Sequence, residues 1–264
     1  MTTSELATQP ASVLTVAHGM QVLRAFRSDR APLSNSELVR RTGLSKASVS
    51  RFTSTLLQLG YLRHVAGSRA FELAAGPLAV GHSFIASSEL LQTANPFLQG
   101  LADRLGVSVA LAVADGHDML YIAYKAGSRV ATLRLGVGSV LPMASTSIGR
   151  AYLWALPPAR QKRVIADLRK SAGSQGAALE RSIRDSFTEL QTTGTCGVLG
   201  GFQRGAYGVA LPVRIGREQV VMGLSCGKAE VQPDLAAERK RIAPVLKAAA
   251  PQLEALLADF DGQA

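Results

Sequence analysis

The segment Asn35–Leu59, NSELVRRTGLSKASVSRFTSTLLQL, predicts two short helices joined by a tight turn. Ser36 or Asn35 can cap the first helix, and Gly43 can adopt the left-handed backbone that ends it. Ser45 is a natural N-cap for the second helix. Apolar residues then recur every three or four positions, which is the period of a helix with one buried side. These residues are Val49, Phe52, Leu56 and Leu59.

The opposite face of the second helix carries hydroxyls and cations but no carboxylate. Its residues are Lys46, Ser48, Ser50, Arg51, Thr53 and Ser54. Exposed helices ordinarily mix acids with bases, because opposite charges four residues apart support the helix. Cations and hydroxyls alone suit phosphate oxygens and base edges, and a helix fits the major groove of DNA. The segment therefore predicts a DNA-binding helix-turn-helix, with a plain helical hairpin of a core as the alternative.

A two-stranded wing is expected after this helix pair. Residues 61–65 and 69–73 form strand-like runs on either side of a turn at 66–68. A helix further upstream, with one apolar face, would close a three-helix core. That face comprises Val16, Met20, Leu23 and Phe26. Arg51 is the candidate for a contact with guanine. The full set of candidate DNA contacts is Asn35, Ser45, Lys46, Ala47, Ser48, Ser50, Arg51, Arg63 and Arg69.

The charge distribution fits a polyanionic partner such as double-stranded DNA. The 264 residues carry a formal charge of +10, and residues 1–75 hold nine Lys or Arg against four Asp or Glu. A basic excess concentrated in one segment suits nucleic acid. The rest of the chain is also basic, so the overall isoelectric point alone decides little.

The chain is expected to be cytoplasmic and free of membranes, metals and cofactors. Its two cysteines are too few for a secreted disulfide scaffold. Residues 1–12 are polar and predict a disordered arm rather than a signal peptide. Apolar runs such as 107–114 are too short to span a bilayer. The four histidines show no metal-ligand spacing.

The remainder of the chain predicts a linker helix followed by an α+β domain. Pro77 suits a helix start, and the helix over 76–95 should break at Asn95–Pro96. A helix over 97–105 follows. Hairpin-like connections favour an antiparallel sheet over a doubly wound one. The expected strands are 107–113, 118–124, 129–135, 194–199, 207–213 and 219–225. The first of the later helices is expected to start near Ser147. The others are expected at 159–170, 180–192 and 235–260, and the last one is expected to be interrupted near Pro244.

In four segments, and in their order and spacing, the chain resembles the IclR family of bacterial transcriptional regulators. The segments are SKASVSRFTSTLLQLGYL, FELAAGPLAVG, VGSVLPMASTSIGRAYLWAL and GVALPVRIGREQVVMGLS. The resemblance implies a winged helix-turn-helix and a GAF-like mixed α/β effector-binding domain. It also implies a homodimer or homotetramer on a palindromic operator. The expected layout is an arm at 1–12, a DNA-binding domain at 13–75, a linker helix at 76–95 and an effector domain at 96–264.

The same resemblance implies an effector pocket. Carried over by motif, its positions are Val130, Leu133, Leu141, Ser147, Ile148, Val198, Gly208, Ser225 and Gly227. The residues themselves add Ser145 and Thr146, because hydroxyls and free N–H groups at a helix start suit a carboxylate. The alternative is that one hydroxyl is simply the N-cap.

The segment 198–205, VLGGFQRG, departs from the family pattern because it lacks the usual carboxylates. Arg204 would favour an anionic ligand if it lies near the pocket, and the alternative is a solvated side chain. Phe202 and Tyr207 can line an aromatic site. The predicted effector is a small organic acid, with aromatic acids among the candidates.

Two other classes of function stay open from the sequence. An architectural DNA-binding protein would show weak sequence preference and steep salt dependence. A small-molecule enzyme with a basic appendage would turn over substrate without DNA. The enzyme reading lacks support, because the chain has no G-x-S-x-G motif. Residues 223–228, GLSCGK, fall one residue short of a phosphate-binding loop.

Overall fold

The computed structural model describes residues 13–26, 31–128, 130 and 135–261. These residues form two units that separate in sequence between Ser88 and Glu89. The arm expected at 1–12 lies outside the described residues.

The first unit is a three-helix core with a small hairpin and one further helix. Its elements are α1 Leu14–Arg24, α2 Asn35–Thr42, α3 Lys46–Gln58, β1 Leu62–His64, β2 Phe71–Leu73 and α4 Gly76–Ser87. The β1 and β2 strands pair antiparallel, as expected for a wing. The core holds Val22, Leu38, Val49, Phe52, Leu56 and Phe71, all buried.

Burial in this core confirms the stripe of α3 only in part. Leu59 is 62% exposed because it follows the last residue of α3, where the chain turns at Gly60. Thr53 was expected on the exposed face but is buried, and its hydroxyl donates to the carbonyl of Val49 at 3.0 Å. A threonine hydroxyl bonded back to its own helix is well accommodated in a core.

The upstream helix buries a different face from the expected one. Val16 and Met20 are 63% and 55% exposed, whereas Val22 is fully buried. Leu23 and Phe26 pack partly against the core. Burial is confined to the C-terminal half of α1, so a stripe drawn along its full length overestimates the contact.

The caps around the turn are well defined. Ser34, rather than Ser36 or Asn35, caps α2, and its hydroxyl accepts from the Glu37 amide at 3.2 Å. The helix begins one residue earlier than expected, so Asn35 already has helical backbone. Gly43 ends α2 with φ of 70°, and Ser45 caps α3, as predicted.

The break after the linker helix falls at Ser88, and the predicted break at Asn95–Pro96 was wrong. Ser88 is extended with ψ of 105°, and α5 then runs over Glu89–Leu105 with Pro96 inside it. An internal proline costs a helix roughly 3 kcal/mol. Pro96 is exposed, where water can satisfy the freed carbonyl, while Leu90, Leu91, Ala94, Leu98 and Leu101 are buried on one face. Burying several leucines at about 1.5–3 kcal/mol each outweighs that cost.

The second unit is built on a six-stranded sheet whose neighbouring strands all pair antiparallel. Its strands are β3 Ser108–Asp115, β4 Asp118–Ala126, β5 Val140–Pro142, β6 Cys196–Leu199, β7 Ala206–Ile215 and β8 Val220–Ala229. Their order is β5-β4-β3-β8-β7-β6. The antiparallel α+β arrangement is therefore confirmed. Most of the strand expected at 129–135 lies outside the described residues.

Helices cover both faces of this sheet. On one face, α5 and α9 (Leu235–Leu256) pack against Val109, Val209 and Leu224. Pro244 does not interrupt α9, contrary to expectation, since it lies on the exposed side of a helix that buries Ile242 and Leu246. The other face carries α6 Ser147–Ala155, α7 Pro158–Ser171 and α8 Gly176–Thr193. Within the described ranges, no helix has the length and apolar character needed to cross a membrane.

Candidate DNA-reading helix and effector cavity

The exposed face of α3 carries Lys46, Ala47, Ser50, Arg51 and Ser54. Across the described part of the chain, neither Lys46 nor Arg51 has an acidic partner. The Arg51 guanidinium lies 5.5 Å from the centre of the Phe52 ring. A cation held over an aromatic ring at the surface remains available for an anion.

Two of the predicted hydroxyl contacts are engaged with each other. Ser45 Oγ accepts from the Ser48 amide at 3.2 Å and donates to Ser48 Oγ at 2.9 Å. Asn35 is only partly exposed, and its buried side-chain oxygen has no hydrogen-bond partner among the described residues. These three side chains are less free than Lys46 and Arg51.

The wing holds its two arginines differently. Arg63 pairs with Glu72 directly across the hairpin, with 2.9 Å between Arg63 Nε and Glu72 Oε1. Arg69 is exposed beside the turn at Gly67, with no ion pair in the described structure. Arg69 is therefore the wing residue better placed to meet a phosphate.

A cavity opens in the second unit between the sheet and the start of α6. It encloses about 550 Å³ of space between atoms, open solvent at its mouth included. Of the twelve predicted effector positions, nine line it: Leu141, Thr146, Ser147, Ile148, Val198, Tyr207, Gly208, Ser225 and Gly227.

Three predicted positions are not in the lining. Ser145 lies beside it, with its carbonyl oxygen 1.8 Å from the place that a Cβ on Gly201 would take. Val130 is in the loop after β4, where its amide donates to the Gly127 carbonyl. Leu133 is outside the described residues.

Sequence reasoning missed residues on the first two strands of the sheet and on the loops. The additional lining residues are Ser108, Ala110, Tyr121, Tyr124, Leu135, Gly201 and Ala206. Phe202 also lines the cavity, as its aromatic character suggested. Alternation along β3 places Ser108 and Ala110 on one face, but nothing in the sequence told which face meets α6.

Tyr207 contributes to the cavity mainly through its backbone. It packs in the core on the opposite face of the sheet with Val209, and its hydroxyl donates to Glu238 of α9. Burial and this carboxylate raise the pKa of Tyr207. Arg241 pairs with the same carboxylate at 2.6 Å and donates to the Leu105 carbonyl at 2.5 Å. The phenol is therefore committed to α9, and Tyr207 stays a predicted effector-site residue that lines the cavity.

The N-terminus of α6 faces the cavity with groups to spare. Thr146 is the N-cap, and its hydroxyl accepts from the Gly149 amide at 3.3 Å. Ser147 is 4% exposed, and no hydrogen bond to its hydroxyl exists within the described chain. The cap explanation therefore accounts for Thr146 but not for Ser147.

A buried guanidinium fixes the loop before α6. Arg150 donates from Nε to the Ala144 carbonyl at 2.9 Å, and from one terminal nitrogen to the Ser182 carbonyl and to Ser186 Oγ. Burial lowers the pKa of Arg150 from its ordinary value. No carboxylate forms a salt bridge with it in the part of the chain described. Its charge therefore adds to the positive end of the α6 dipole.

Neither cysteine has the features of a reactive thiol. Cys196 and Cys226 are free and fully buried. Burial raises the pKa of each thiol to about 12. The described residues also include no cluster of histidine, cysteine and carboxylate that could hold a metal ion.

A winged helix-turn-helix, followed in the chain by a domain whose cavity is lined by hydroxyls and aromatic rings, is typical of ligand-responsive DNA-binding transcription regulators. Residues 15–66 match the IclR helix-turn-helix domain, and residues 82–255 match the C-terminal domain of bacterial IclR transcriptional regulators. The chain belongs to the IclR family. Members of this family regulate transcription, so the enzyme reading is rejected.

Known proteins resemble the chain over half of its length or more. The Pca regulon regulatory protein of Pseudomonas putida is 28% identical over 247 residues, covering 92% of this chain and 84% of the relative. The p-hydroxybenzoate hydroxylase transcriptional activator of Acinetobacter baylyi is 30% identical over 146 residues, about half of each chain (53%). The crystal structure of an IclR family transcriptional regulator from Brucella abortus superposes with a TM-score of 0.82 at 29% identity, covering 94% of this chain and 95% of that one.

Proposed function

We propose that this regulator binds a palindromic operator as a homodimer or homotetramer and that a small organic acid, aromatic acids foremost, controls its binding. The observation that carries the effector class is Ser147, which lines the cavity and whose hydroxyl has no hydrogen-bond partner among the described residues. It lies beside the first amides of α6, which have no intrahelical acceptor. A helix N-terminus with a spare hydroxyl is a site for a carboxylate.

The electrostatics of this end of the cavity also favour an anion. Arg150 is the fourth residue of α6, is 9% exposed and lacks a salt bridge within the described chain. A buried charge is costly unless an opposite charge approaches it. Asp185 and Glu189 already act on Arg150 electrostatically and raise its pKa, and a carboxylate at Ser147 would add a further opposite charge.

The walls of the cavity suit a ring. Tyr121 and Tyr124 stack with centroids 6.2 Å apart, and Phe202 lies at the mouth with 40% of its surface exposed. Aromatic side chains favour offset or edge contacts with another ring. The name of the Acinetobacter baylyi relative refers to an enzyme of hydroxybenzoate metabolism, which agrees with this choice.

The exposed apolar surface of α4 supports assembly into a dimer. Along α4, Leu78, Val80, Phe84 and Ile85 are 74%, 59%, 44% and 39% exposed. The helix buries none of its residues and contains no Asp, Glu, Lys or Arg. Exposed apolar surface of this extent marks an interaction site, and a second copy of the chain is its proposed occupant. Two copies of α3 would then reach successive major grooves, about 34 Å apart.

A gel-shift experiment with the protein's own upstream region tests the proposal. Aromatic monocarboxylates such as benzoate are expected to change the affinity for that DNA and to bind the purified protein in calorimetry. A protein that binds only sugars or cations contradicts the effector class. Equal affinity for the upstream region and for random duplex at physiological salt contradicts operator binding and favours an architectural role.

A further inference from the structure

Beyond residue 75, the excess of positive charge is concentrated in helix α7. Residues 76–264 hold twenty Lys or Arg against fifteen Asp or Glu. Helix α7 spans only fourteen of these residues but holds five Lys or Arg and a single Asp. The other positions hold fifteen cations against fourteen acids, which is close to neutral. The basic surplus of this part of the chain is therefore a property of one helix.

The cations of α7 face solvent, because the helix buries only its opposite side. The buried residues are Ile165 and Leu168. The Gln161 side-chain amide donates to the carbonyls of Leu153 at 3.0 Å and Trp154 at 3.2 Å, which ties the start of α7 to the end of α6. The helix therefore presents its cations from a fixed position. The exposed cations are Arg160, Lys162, Arg163, Arg169 and Lys170.

Carboxylates neutralise only part of this charge. Arg169 pairs with Glu180 of α8 at 3.1 Å. Asp167, the single acid of α7, lies 4.0 Å from Nε2 of His117. Within the described residues, the cations of α7 that form no salt bridge are Arg160, Lys162 and Lys170.

The placement of the cations is unfavourable for the helix itself. Arg160 is the third residue of α7, and the first turn contains no acid. A helix carries partial positive charge at its amino end, so a cation in the first turn is repelled. Arg160 and Arg163 are also three residues apart, where like charges destabilise a helix. A surface that costs stability in the free protein indicates a partner of opposite charge.

The chemistry of this surface selects a polyanion over an apolar protein contact. In the described part of the chain, none of the large apolar side chains that are exposed lies on α7. Protein interfaces centre on buried apolar or aromatic anchors, whereas Lys and Arg alone can hold DNA phosphates. A regulator that holds an operator at its helix-turn-helix also keeps the flanking duplex at a high effective concentration. DNA next to the operator is therefore the partner that fits α7.

We propose that α7 binds the phosphate backbone of duplex DNA outside the operator, through Arg160, Arg163 and Lys170. Spacings of three and seven residues keep these side chains on one side of the helix. The contact is independent of base sequence and adds to the affinity for an operator that lies within longer DNA. The inference rests on the operator binding of the proposed function, and it does not involve the effector.

Two duplexes that contain the same operator test the proposal on the full chain. One ends at the operator, and the other continues for about 30 base pairs on each side, roughly three helical turns. We expect the extended duplex to bind about three- to tenfold more tightly at physiological salt, with a salt slope steeper by about 0.9 for each added phosphate contact. Hydroxyl-radical footprinting should show protected backbone outside the operator.

A triple variant removes the proposed contacts by Arg160→Gln, Arg163→Gln and Lys170→Gln. It should lose the gain from flanking DNA and the outer protection, while its affinity for the operator-only duplex stays unchanged. A matched control removes the same charge from exposed positions on α8 and α9 and should behave like the wild type. Its substitutions are Arg181→Gln, Lys240→Gln and Lys247→Gln.

The outcomes separate this inference from the proposed function. Equal affinities and equal salt slopes of the wild type for the two duplexes overturn the contact at α7 and leave operator binding standing; an acidic protein surface would then be the better partner for this helix. A gain that survives in the triple variant, or that disappears in the control variant, also overturns the contact. A wild type that does not distinguish the operator-only duplex from random duplex of the same length overturns both proposals.

Discussion

Arg51 stands out at the residue scale because it is exposed on α3 while its guanidinium lies over the Phe52 ring. The ring restricts the arginine side chain without consuming its hydrogen-bond donors. An arginine preset in this way can form a bidentate contact with guanine at a smaller loss of side-chain freedom.

Arg51→Ala is expected to cost roughly 1–3 kcal/mol of operator binding and to relax sequence preference. Lys46→Ala should weaken binding to all duplexes alike and lower the salt slope by about 1. Fluorescence anisotropy with operator and random DNA over a salt series measures both effects. Arg181→Ala, which removes an exposed charge in the second unit, is the control. Equal losses on operator and random DNA for Arg51→Ala would assign Arg51 to a phosphate instead.

The two thiols should be inert in the folded protein. Burial raises the pKa of Cys196 and of Cys226 to about 12, and thiolates are the reactive form. A chromogenic disulfide reagent near neutral pH should therefore find no reactive thiol in native protein and two after denaturation. Rapid modification of protein that keeps its helical signal would contradict this assignment.

At the scale of single elements, α2 depends on a carboxylate with two arginines. Glu37 accepts hydrogen bonds from Arg40 and Arg41, which lower its pKa to about 2. Because this folded pKa lies below the ordinary glutamate value of 4.5, the stabilisation is present above the unfolded pKa and is lost as pH falls toward about 2. The ion pairs also lie at the exposed side of the helix, so salt screens them.

Glu37→Gln should therefore lower the urea midpoint slightly near neutral pH and not at all near about pH 2. Unfolding curves at several pH values, followed by helical signal, measure the difference. Glu218→Gln, in an exposed turn, should show no such convergence. A constant difference at all pH values would mean that the side chain acts by packing rather than by charge.

Several elements were predictable because their determinants are local. Gly43 and Ser45 fixed the turn between α2 and α3, since one requires a left-handed backbone and the other a side-chain cap. The prolines at 96 and 244 misled the prediction because their cost is local while the burial that overrides it is tertiary. Each lies on the exposed side of a helix, which the sequence alone did not indicate.

The lining residues on α6 and the late strands were predictable from the family motifs. The lining residues on β3 and β4 were not. An extra residue in β4 shifts the register, so that Leu111 pairs with Ala123 and Ala112 with Tyr121. This bulge brings Tyr121 and Tyr124 to the same side although they are three residues apart. Strict alternation would have placed them on opposite faces.

On the scale of the whole molecule, the proposed assembly would use the exposed apolar residues of α4. Phe84→Glu should lower the molar mass in solution by breaking the assembly, because a charge would have to be buried in the contact. Operator affinity should fall together with the molar mass, because the two half-sites of a palindromic operator need two DNA-binding domains. Affinity for aromatic acids should stay unchanged.

Light scattering after size exclusion measures the mass. Val231→Glu adds the same charge at a side chain that is 98% exposed, outside α4, and should leave the mass unchanged. A monomeric wild-type protein, or a Phe84→Glu variant with wild-type mass, would remove α4 as the contact.

Gly201 has a consequence for how relatives should be compared. The oxygen of Ser145 already fills the position where any other amino acid would carry its first side-chain carbon. Any larger residue there would have to push the segment after β6 away from α6 and widen the entrance. Family members with a bulkier residue at the equivalent position must therefore have differently shaped entrances, and this single position can sort regulators into groups before any effector is known.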